Sequence, residues 1–223
     1  MIKRLVKSTL QNLFAKAGPH RWRDGGQLVI LMYHRVLPPE DPRYRDEQPG
    51  MIIHPDTLDM HLTTMKRHFE IVDLTDWLRR ADTGERLPER AIAITFDDGW
   101  RDNREYAQPI LERHNAPATI FLVSDMVGST GNYWPEQLAT AIRIAREQGR
   151  AVWSEVREMQ SALFAFGSHT VDHTRLTETL ADDVVEHQLV ASKQALEAGM
   201  ESPVTLVCYP NGDHAPAAVR HAE

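Results

Sequence analysis

Two adjacent carboxylates, Asp97 and Asp98, follow an apolar run at residues 91–94 and lie within the segment Thr-Phe-Asp-Asp-Gly. Burying a charge without a partner is costly, and two adjacent like charges also repel each other. A bound cation or a change of protonation relieves both costs. Because successive side chains of a strand point to opposite faces, one carboxylate can bind a metal while the other handles protons. The segment therefore predicts metal-assisted chemistry.

The imidazoles that would complete such a site lie in a second segment, Phe-Gly-Ser-His-Thr-Val-Asp-His, which contains His169 and His173. On a helical turn, a spacing of four residues places two side chains on one face, about 5–6 Å apart at Cβ. A carboxylate and two imidazoles leave coordination positions open, as in catalytic rather than structural zinc sites. The spacing therefore predicts a helical turn that presents both imidazoles to one ion.

Each segment alone has a simpler explanation. Asp-Asp-Gly is typical of a solvated turn, and His-x-x-x-His, in a chain with 11 histidines, is typical of two side chains on a helix surface. However, both segments follow apolar, strand-like runs. The carboxyl ends of parallel strands meet at one edge of a sheet, where open α/β folds and barrels bind their ligands. The combination favours one shared site.

Both segments resemble the first two motifs of the polysaccharide deacetylases, which are also known as carbohydrate esterase family 4 or the NodB-homology group. The stretch Leu-Val-Ile-Leu-Met-Tyr-His-Arg-Val, which starts at residue 28, also resembles the start of many members. The resemblance implies that Asp97 is the general base and that Asp98, His169 and His173 hold a divalent metal, usually zinc. It also implies that the substrate is an acetylated glycan.

The segment Cys-Tyr-Pro-Asn-Gly at residues 208–212 stands where the third motif of the family is expected. In the family this motif often begins with an Arg that orients the base and has an aromatic residue after the Pro. This chain has Cys208 and Asn211 at those positions. We expect a backbone N–H near Tyr209 or Asn211 to stabilise the oxyanion. A nucleophilic role for Cys208 is disfavoured, because a buried thiol is inert unless its pKa is lowered.

The sequence ends at Glu223, shortly after this third motif. The family continues through a fourth motif with a Trp and a fifth with a catalytic His, so we predict a domain that is incomplete at its C-terminus. Proton delivery to the leaving amine would then fall to Asp97 or to water. We also expect marginal stability or the need for a partner, because a sheet that stops after residues 205–209 leaves an open edge.

The rest of the sequence alternates between strand-like and helix-like segments. The strand-like runs are continuously apolar, which is typical of parallel strands covered on both faces. They lie at residues 28–33, 91–96, 118–123, 163–166 and 205–209, and the helix-like stretches lie at residues 56–68, 103–114, 135–148 and 181–198. This alternation predicts an α/β fold with a parallel sheet. The family resemblance implies a deformed (β/α) barrel of the NodB-homology type, incomplete at the C-terminus.

The composition is that of one globular domain. The 223 residues are 42% hydrophobic and 26% charged, which is enough to bury one core. The net charge of −7 argues against nucleic acid as a partner, because nucleic-acid-binding surfaces are usually basic. The single cysteine excludes an internal disulfide. We assign residues 1–27 to an N-terminal amphipathic helix and linker, and residues 28–223 to the partial deacetylase-like domain.

Residues 1–17 carry apolar side chains at helical spacing, with basic side chains between them. Lys7, Gln11 and Asn12 interrupt the apolar run, so no signal peptide is predicted. The helix would either pack on the domain or make peripheral contact with an anionic membrane surface. No transmembrane segment is predicted either. We therefore expect a protein that is cytoplasmic or peripheral to the inner face of the membrane.

Three functions are consistent with these features. The first is a metal-dependent hydrolase that removes acetyl groups from an N- or O-acetylated polysaccharide. The second is a metal-dependent amidase with a small non-glycan substrate, since one fold supports several activities. The third is a non-catalytic carbohydrate-binding or vestigial module. The sequence leaves open which glycan is used, whether an amide or an ester is cut, and which metal is bound.

Overall fold

The computed structural model describes residues 27–45, 47–48, 50–127, 153–161 and 163–222. In this part of the chain the strands are β1 Gln27–Tyr33, β2 Arg35–Val36, β3 Ile52–Ile53, β4 Glu70–Ile71, β5 Arg90–Phe96, β6 Ala118–Leu122 and β7 Phe164–Ser168. Four parallel strands lie in the order β1, β5, β6 and β7, and β4 pairs with β5 as well. Strands β2 and β3 form a separate parallel pair.

Six α-helices connect and cover these strands in the described part of the chain. Their bounds are α1 Pro55–Met65, α2 Leu74–Asp82, α3 Gln108–Arg113, α4 Trp153–Met159, α5 Asp182–Met200 and α6 Pro216–Ala222. Helix α1 begins after His54, whose ring nitrogen accepts the N–H of Asp56. Proline at the first helical position needs no such partner, because it has no N–H. The structure is therefore mixed α/β with a parallel sheet, as predicted.

Strand β5 lies at the centre of the sheet and is apolar on both faces. Ile92, Ile94 and Phe96 pack into the main core beneath the helices. Ala93, which points to the other face, packs with Phe121 of β6 in a smaller apolar cluster. A strand that is covered on both faces has a continuously apolar sequence. The prediction of such a strand at residues 91–96 is confirmed. The strand delivers its C-terminal end, and the two carboxylates after it, to the sheet edge.

Strand β1 departs from the prediction that every apolar run is covered on both faces. The side chains of Val29, Ile30 and Met32 are 45%, 54% and 52% exposed in the described structure. Among the described strands, β1 pairs with β5 and lies at the end of the sheet. The described sheet is open at this end and does not close into a barrel. An edge strand can thus carry an apolar sequence without being enclosed.

The predicted strand at residues 205–209 is wrong. This segment forms a single bridge, from Val207 to Ser168, through the bonds Ser168 N–H to Leu206 O and Cys208 N–H to Ser168 O. Ser168 is the last residue of β7, and Thr170 already has a positive φ of 68°. The neighbouring strand therefore turns away before a second bridge can form. The apolar segment still packs beside the sheet and carries Cys208 to the site.

Three of the predicted helices are present. The stretch at residues 56–68 corresponds to α1, and the stretch at residues 181–198 corresponds to α5. The stretch at residues 103–114 forms a π-helical turn (Asn103–Ala107) followed by α3. Helices α2 and α4 were not predicted. The predicted helices at residues 1–17 and 135–148 lie outside the described residues, as does most of the segment assigned to residues 1–27. No helix in the described ranges is both long and apolar enough to cross a membrane.

Candidate metal centre and catalytic base

The two carboxylates lie at the C-terminal end of β5, and both are buried. The N–H of Asp97 still donates to the carbonyl of Tyr33 in β1, at 2.9 Å. Asp98 and Gly99 then adopt positive φ angles of 74° and 65°. Because the backbone turns left-handed at Asp98, the two carboxylates face different groups. Their separation arises from this turn, since regular strand geometry already ends at Phe96.

One oxygen of Asp98 faces both imidazoles of the second segment. Asp98 Oδ1 lies 3.7 Å from Nε2 of His169 and 3.5 Å from Nε2 of His173. The two imidazole rings have centroids 4.8 Å apart and are inclined by 69°. Ligand atoms held tetrahedrally at about 2.0–2.1 Å from one zinc ion lie about 3.4 Å apart. The three predicted ligand atoms lie within 4.8 Å of one another, close enough for one small divalent ion to be shared among them.

The imidazoles converge without the helical turn that the sequence predicted. Residues 169–173 form an irregular loop after β7, and both Thr170 and His173 have positive φ angles, 68° and 67°. A right-handed helix cannot include such residues, so the prediction of a helical turn is wrong. The loop reverses the chain within four residues, which returns His173 to the side of His169.

Helix α5 supports this loop with buried polar side chains. Ser192 Oγ donates to the carbonyl of Thr170 at 3.0 Å and lies 2.8 Å from Ser168 Oγ. One turn earlier in the helix, Gln188 Oε1 accepts the N–H of Val171 at 3.0 Å. These bonds satisfy backbone groups that the loop cannot pair by itself. The buried polar residues of α5 therefore hold the loop in its left-handed conformation.

The hydrogen bonds of His169 determine which of its ring nitrogens is available to a metal. Its Nδ1 lies 2.8 Å from the carbonyl oxygen of Cys208. A carbonyl only accepts, so Nδ1 carries the proton and Nε2 presents a lone pair toward Asp98. Burial lowers the pKa of His173, and the neighbouring His34 lowers that pKa further, while the charge of Asp98 opposes the shift. Both imidazoles are thus held in forms that can bind a cation.

A second group of donor atoms, from Asp97, His169 and Cys208, also lies within 4.8 Å. The two groups share His169, so one ion would use one group or the other. Burial raises the pKa of the Cys208 thiol, and the nearby charge of Asp97 raises it further. Metals bind the thiolate, which this environment disfavours. The group of Asp98, His169 and His173 is the better metal site.

Asp97 has the environment of a proton acceptor. Burial raises the pKa of Asp97 to about 7, and the charge of Asp98 contributes to the rise, while a hydrogen bond from Cys208 opposes it. The Cys208 Sγ lies 3.6 Å from Asp97 Oδ2, and Asp97 Oδ1 is buried without a hydrogen-bond partner among the described residues. A general base works best when its pKa lies near the working pH. The carboxylate is therefore suited to accept a proton.

The remaining predicted residues, Tyr209 and Asn211, lie in the turn after Cys208. The Tyr209 ring stacks on His214, with centroids 5.4 Å apart, and Gly212 N–H closes the turn on the Tyr209 carbonyl. Asn211 has a positive φ of 57° and is exposed. The turn borders the site through Cys208, whose carbonyl contacts His169. The oxyanion role of the two backbone N–H groups stays a prediction.

His34 belongs to the neighbourhood of the site, although it was not among the predicted site residues. It directly follows β1, is half-buried, and is close enough to His173 to affect its pKa. The side-chain amide of Asn103 donates to the His34 carbonyl at 2.9 Å. Its position after a strand of the same parallel sheet was the available signal, because such ends share one edge.

Comparison with known proteins is consistent with this site. A sequence model of the polysaccharide deacetylase family matches residues 84–223. YxkH of Bacillus subtilis (strain 168), named as a polysaccharide deacetylase, is 27% identical over 142 residues, which are 63% of this chain and 44% of YxkH. The poly-beta-1,6-N-acetyl-D-glucosamine N-deacetylase of Escherichia coli (strain K12) is 32% identical over 88 residues, which are 39% of this chain and 13% of that protein. The chain thus spans less than half the length of either relative.

Two solved structures share the fold. The Streptococcus pyogenes deacetylase PplD, in complex with acetate, aligns with a TM-score of 0.72 and 22% identity over 89% of this chain and 80% of its own. A de-N-acetylase from Aggregatibacter actinomycetemcomitans aligns with a TM-score of 0.71 and 21% identity over 87% of this chain and 83% of its own. At this identity the alignments show the fold, while the family model covers more than half of the sequence. The chain belongs to the polysaccharide deacetylase family.

Proposed function

We propose that this chain is a metal-dependent hydrolase that removes acetyl groups from an N-acetylated glycan. The observation that carries the proposal is the position of Asp98 Oδ1, which faces Nε2 of both His169 and His173, beside a second buried carboxylate. A metal site next to a proton acceptor is the minimum that hydrolysis of an unactivated acetamide requires. Family membership supports the same reaction class.

The metal would be held by Asp98, His169 and His173. One oxygen and two nitrogen donors suit zinc and leave a position for water or substrate, so zinc is the metal that we propose. When bound, such an ion polarises a carbonyl and lowers the pKa of an attacking water. The chain's own contribution would be to hold the three donor atoms close together beyond the ends of β5 and β7.

Asp97 would accept the proton of the water that attacks the acetamide carbon. The new C–O bond places negative charge on the former carbonyl oxygen, which a backbone N–H near Tyr209 or Asn211 would stabilise. A donor of this kind contributes about 3–4 kcal/mol to transition-state stabilisation. Breaking the C–N bond then releases acetate and an amine.

The leaving amine needs a proton, and His34 is a second candidate to supply it besides Asp97. His34 directly follows Tyr33, whose carbonyl accepts the N–H of Asp97, so its backbone lies beside the strand end that carries the carboxylates. Histidine is the side chain that most often acts as a general acid or base in enzymes. General acid catalysis typically contributes about 100- to 10,000-fold to the rate.

An acetate-release assay tests the proposed function. The substrates are a β-1,6-linked oligomer of N-acetylglucosamine, chosen for the name of the E. coli relative, a chitooligosaccharide and an acetyl ester. We expect release from an N-acetylated oligomer, loss after chelation, and recovery with added zinc. His34→Ala should retain zinc and lose activity if His34 is the donor. Stoichiometric zinc without release from any of these substrates would favour a non-catalytic module, and release from small acetamides alone would favour an amidase.

A further inference from the structure

The two oxygens of Asp98 have different neighbours. Oδ1 faces the imidazoles of His169 and His173, whereas Oδ2 accepts the indole N–H of Trp100 at 3.2 Å. A carboxylate can bind a metal through one oxygen or through both. A hydrogen bond to one oxygen favours metal binding through the other, because it stabilises the negative charge on the bonded oxygen and fixes the orientation of the carboxylate. The indole therefore favours metal binding by Asp98 through Oδ1.

The indole itself is held in place by a buried arginine. The Cζ atom of Arg35 lies 4.0 Å from the centroid of the Trp100 ring, in a cation–π stack. Arg35 is 7% exposed, so the stack is largely shielded from water. A planar guanidinium over the ring restricts rotation of the indole and keeps its N–H directed at Asp98. This arrangement needs a guanidinium that is itself fixed.

Two carboxylates fix the guanidinium. Asp102, which is fully buried, accepts from Nε and Nη2 of Arg35 at 2.9 and 2.8 Å, and Glu47 accepts from Nη1 at 2.8 Å. The second oxygen of Asp102 accepts the N–H of Val36 at 2.9 Å, which ties the group to β2. Two N–H groups that converge on one oxygen of Asp102, with a third N–H bonded to Glu47, fix the plane of the guanidinium as well as its position.

We propose that Trp100 is a positioning residue for the metal ligand Asp98, and that Arg35 and Asp102 fix its indole. This inference rests on the proposed metal site. The indole N–H keeps Asp98 Oδ2 out of the coordination sphere, so that Oδ1 alone binds the ion. Binding through one oxygen preserves the open position that a catalytic site needs.

Trp100→Phe tests the inference, because phenylalanine keeps a ring under Arg35 and removes the N–H. Co²⁺ is the probe, since its binding is measured by titration calorimetry and its geometry by visible absorption. We expect the Kd for Co²⁺ to rise about 10- to 100-fold, as for other partners of metal ligands. We also expect weaker visible absorption, because coordination through both oxygens raises the coordination number.

Trp77→Phe is the matched control. Trp77 lies in α2, and its indole nitrogen is buried without a hydrogen-bond partner in the described part of the chain, so its loss should leave Co²⁺ binding unchanged. Urea denaturation of metal-free protein checks that Trp100→Phe is folded. A folded Trp100→Phe variant with the Kd and spectrum of the wild type would overturn the inference alone. A wild-type protein that binds no Co²⁺ would overturn the proposed metal site and this inference with it.

Discussion

Asp97 and Asp98 are adjacent, yet their surroundings give them different chemistry. Asp98 faces two imidazoles and accepts an indole N–H, so both of its oxygens have polar neighbours. Asp97 lies against a thiol and has one buried oxygen without a hydrogen-bond partner among the described residues, and burial raises its pKa to about 7. The same sequence dipeptide thus provides one group suited to hold a cation and another suited to exchange a proton.

The raised pKa of Asp97 predicts a pH-dependent stability for metal-free protein. Its pKa rises from 3.8 to about 7 on folding, so the folded state favours the protonated form. The stabilisation is fully present below pH 4 and is lost as the pH rises to about 7. The loss in the free energy of unfolding is on the order of 4 kcal/mol. Urea denaturation after chelation measures this effect. The free energy of unfolding of Asp97→Asn should rise relative to that of the wild type between pH 4 and pH 8.

Asp82→Asn controls for the loss of a carboxylate, because Asp82 is exposed and makes no ion pair within the described ranges. We expect its stability to follow that of the wild type across the same range. A difference between Asp97→Asn and the wild type that does not change with pH would show that Asp97 is already ionised in the folded protein at low pH.

Cys208 should tune the base. Its hydrogen bond lowers the pKa of Asp97, against the larger effect of burial. Cys208→Ala removes the donor, so the pKa of Asp97 should rise and the acidic limb of the kcat/KM profile should move to higher pH. A shift of up to about one pH unit matches the net energy of one hydrogen bond. Cys208→Ser keeps a donor and should shift less. An unchanged limb in Cys208→Ala would mean that the thiol does not act on Asp97.

At the scale of elements, the sequence predicted the position of a site residue wherever that residue directly follows a buried strand. β5 and β7 were predicted within two residues of their observed bounds, and with them the positions of Asp97 and His169. His173 was also predicted to meet His169, but for the wrong reason, since four-residue spacing indicated a helix. The left-handed angles of Thr170 and His173 produce the contact, and local spacing does not predict positive φ in such residues.

Contacts between distant segments were the least predictable. The bond from Trp100 to Asp98 depends on Arg35 and Asp102, which lie 67 residues apart. Helix propensity and strand patterns carry no information about such a pair. The prediction of a strand at residues 205–209 was wrong for a related reason. The pairing of this segment depends on where β7 ends, and the sequence of the segment itself does not show this.

The approach of β7 to its neighbours requires Gly167. A Cβ at this position would lie 2.6 Å from Phe121 Cδ1 and 2.9 Å from the Leu206 carbonyl oxygen. We expect Gly167→Ala to lower the free energy of unfolding by about 1–3 kcal/mol, as for other overpacked sites. Metal binding should weaken too, because His169 follows two residues later. Chemical denaturation and zinc titration measure both effects.

Gly84→Ala is the control for that variant. Gly84 has a φ of 70°, and a methyl group at this position would have no described atom within 4 Å, so the change costs only about 1–2 kcal/mol of backbone strain. Its zinc affinity should equal that of the wild type. If Gly167→Ala also keeps wild-type zinc affinity, the packing of β7 does not affect how His169 binds zinc.

For the whole molecule, metal binding and folding should be linked. The three ligands come from the ends of β5 and β7, which are far apart in an unfolded chain, so zinc should bind the folded state preferentially. At a free concentration 100 times its Kd, zinc should raise the free energy of unfolding by about 2.7 kcal/mol. His173→Ala should lose most of this gain, and His187→Ala, on the exposed side of α5, should keep it. Equal gains in both variants would place the zinc elsewhere.

The exposed apolar side chains of β1 also belong to this scale. Val29, Ile30 and Met32 form an open edge in the described structure. The sequence-based expectation of marginal stability or of a partner stays a prediction, as do the domain assignment and the cellular location. The three predicted metal ligands follow β5 and β7, and β1 pairs with β5 along its length.

The metal content of Asp97→Asn and Asp98→Asn tests the central claim most directly. Both variants remove one buried carboxylate from adjacent positions, and both amides keep the side-chain shape. Elemental analysis of protein purified without chelator should find about one divalent ion per chain in the wild type and in Asp97→Asn. Asp98→Asn should be strongly depleted, because two imidazoles alone hold zinc weakly. A depleted Asp97→Asn beside a fully loaded Asp98→Asn would contradict the assignment of ligand and base.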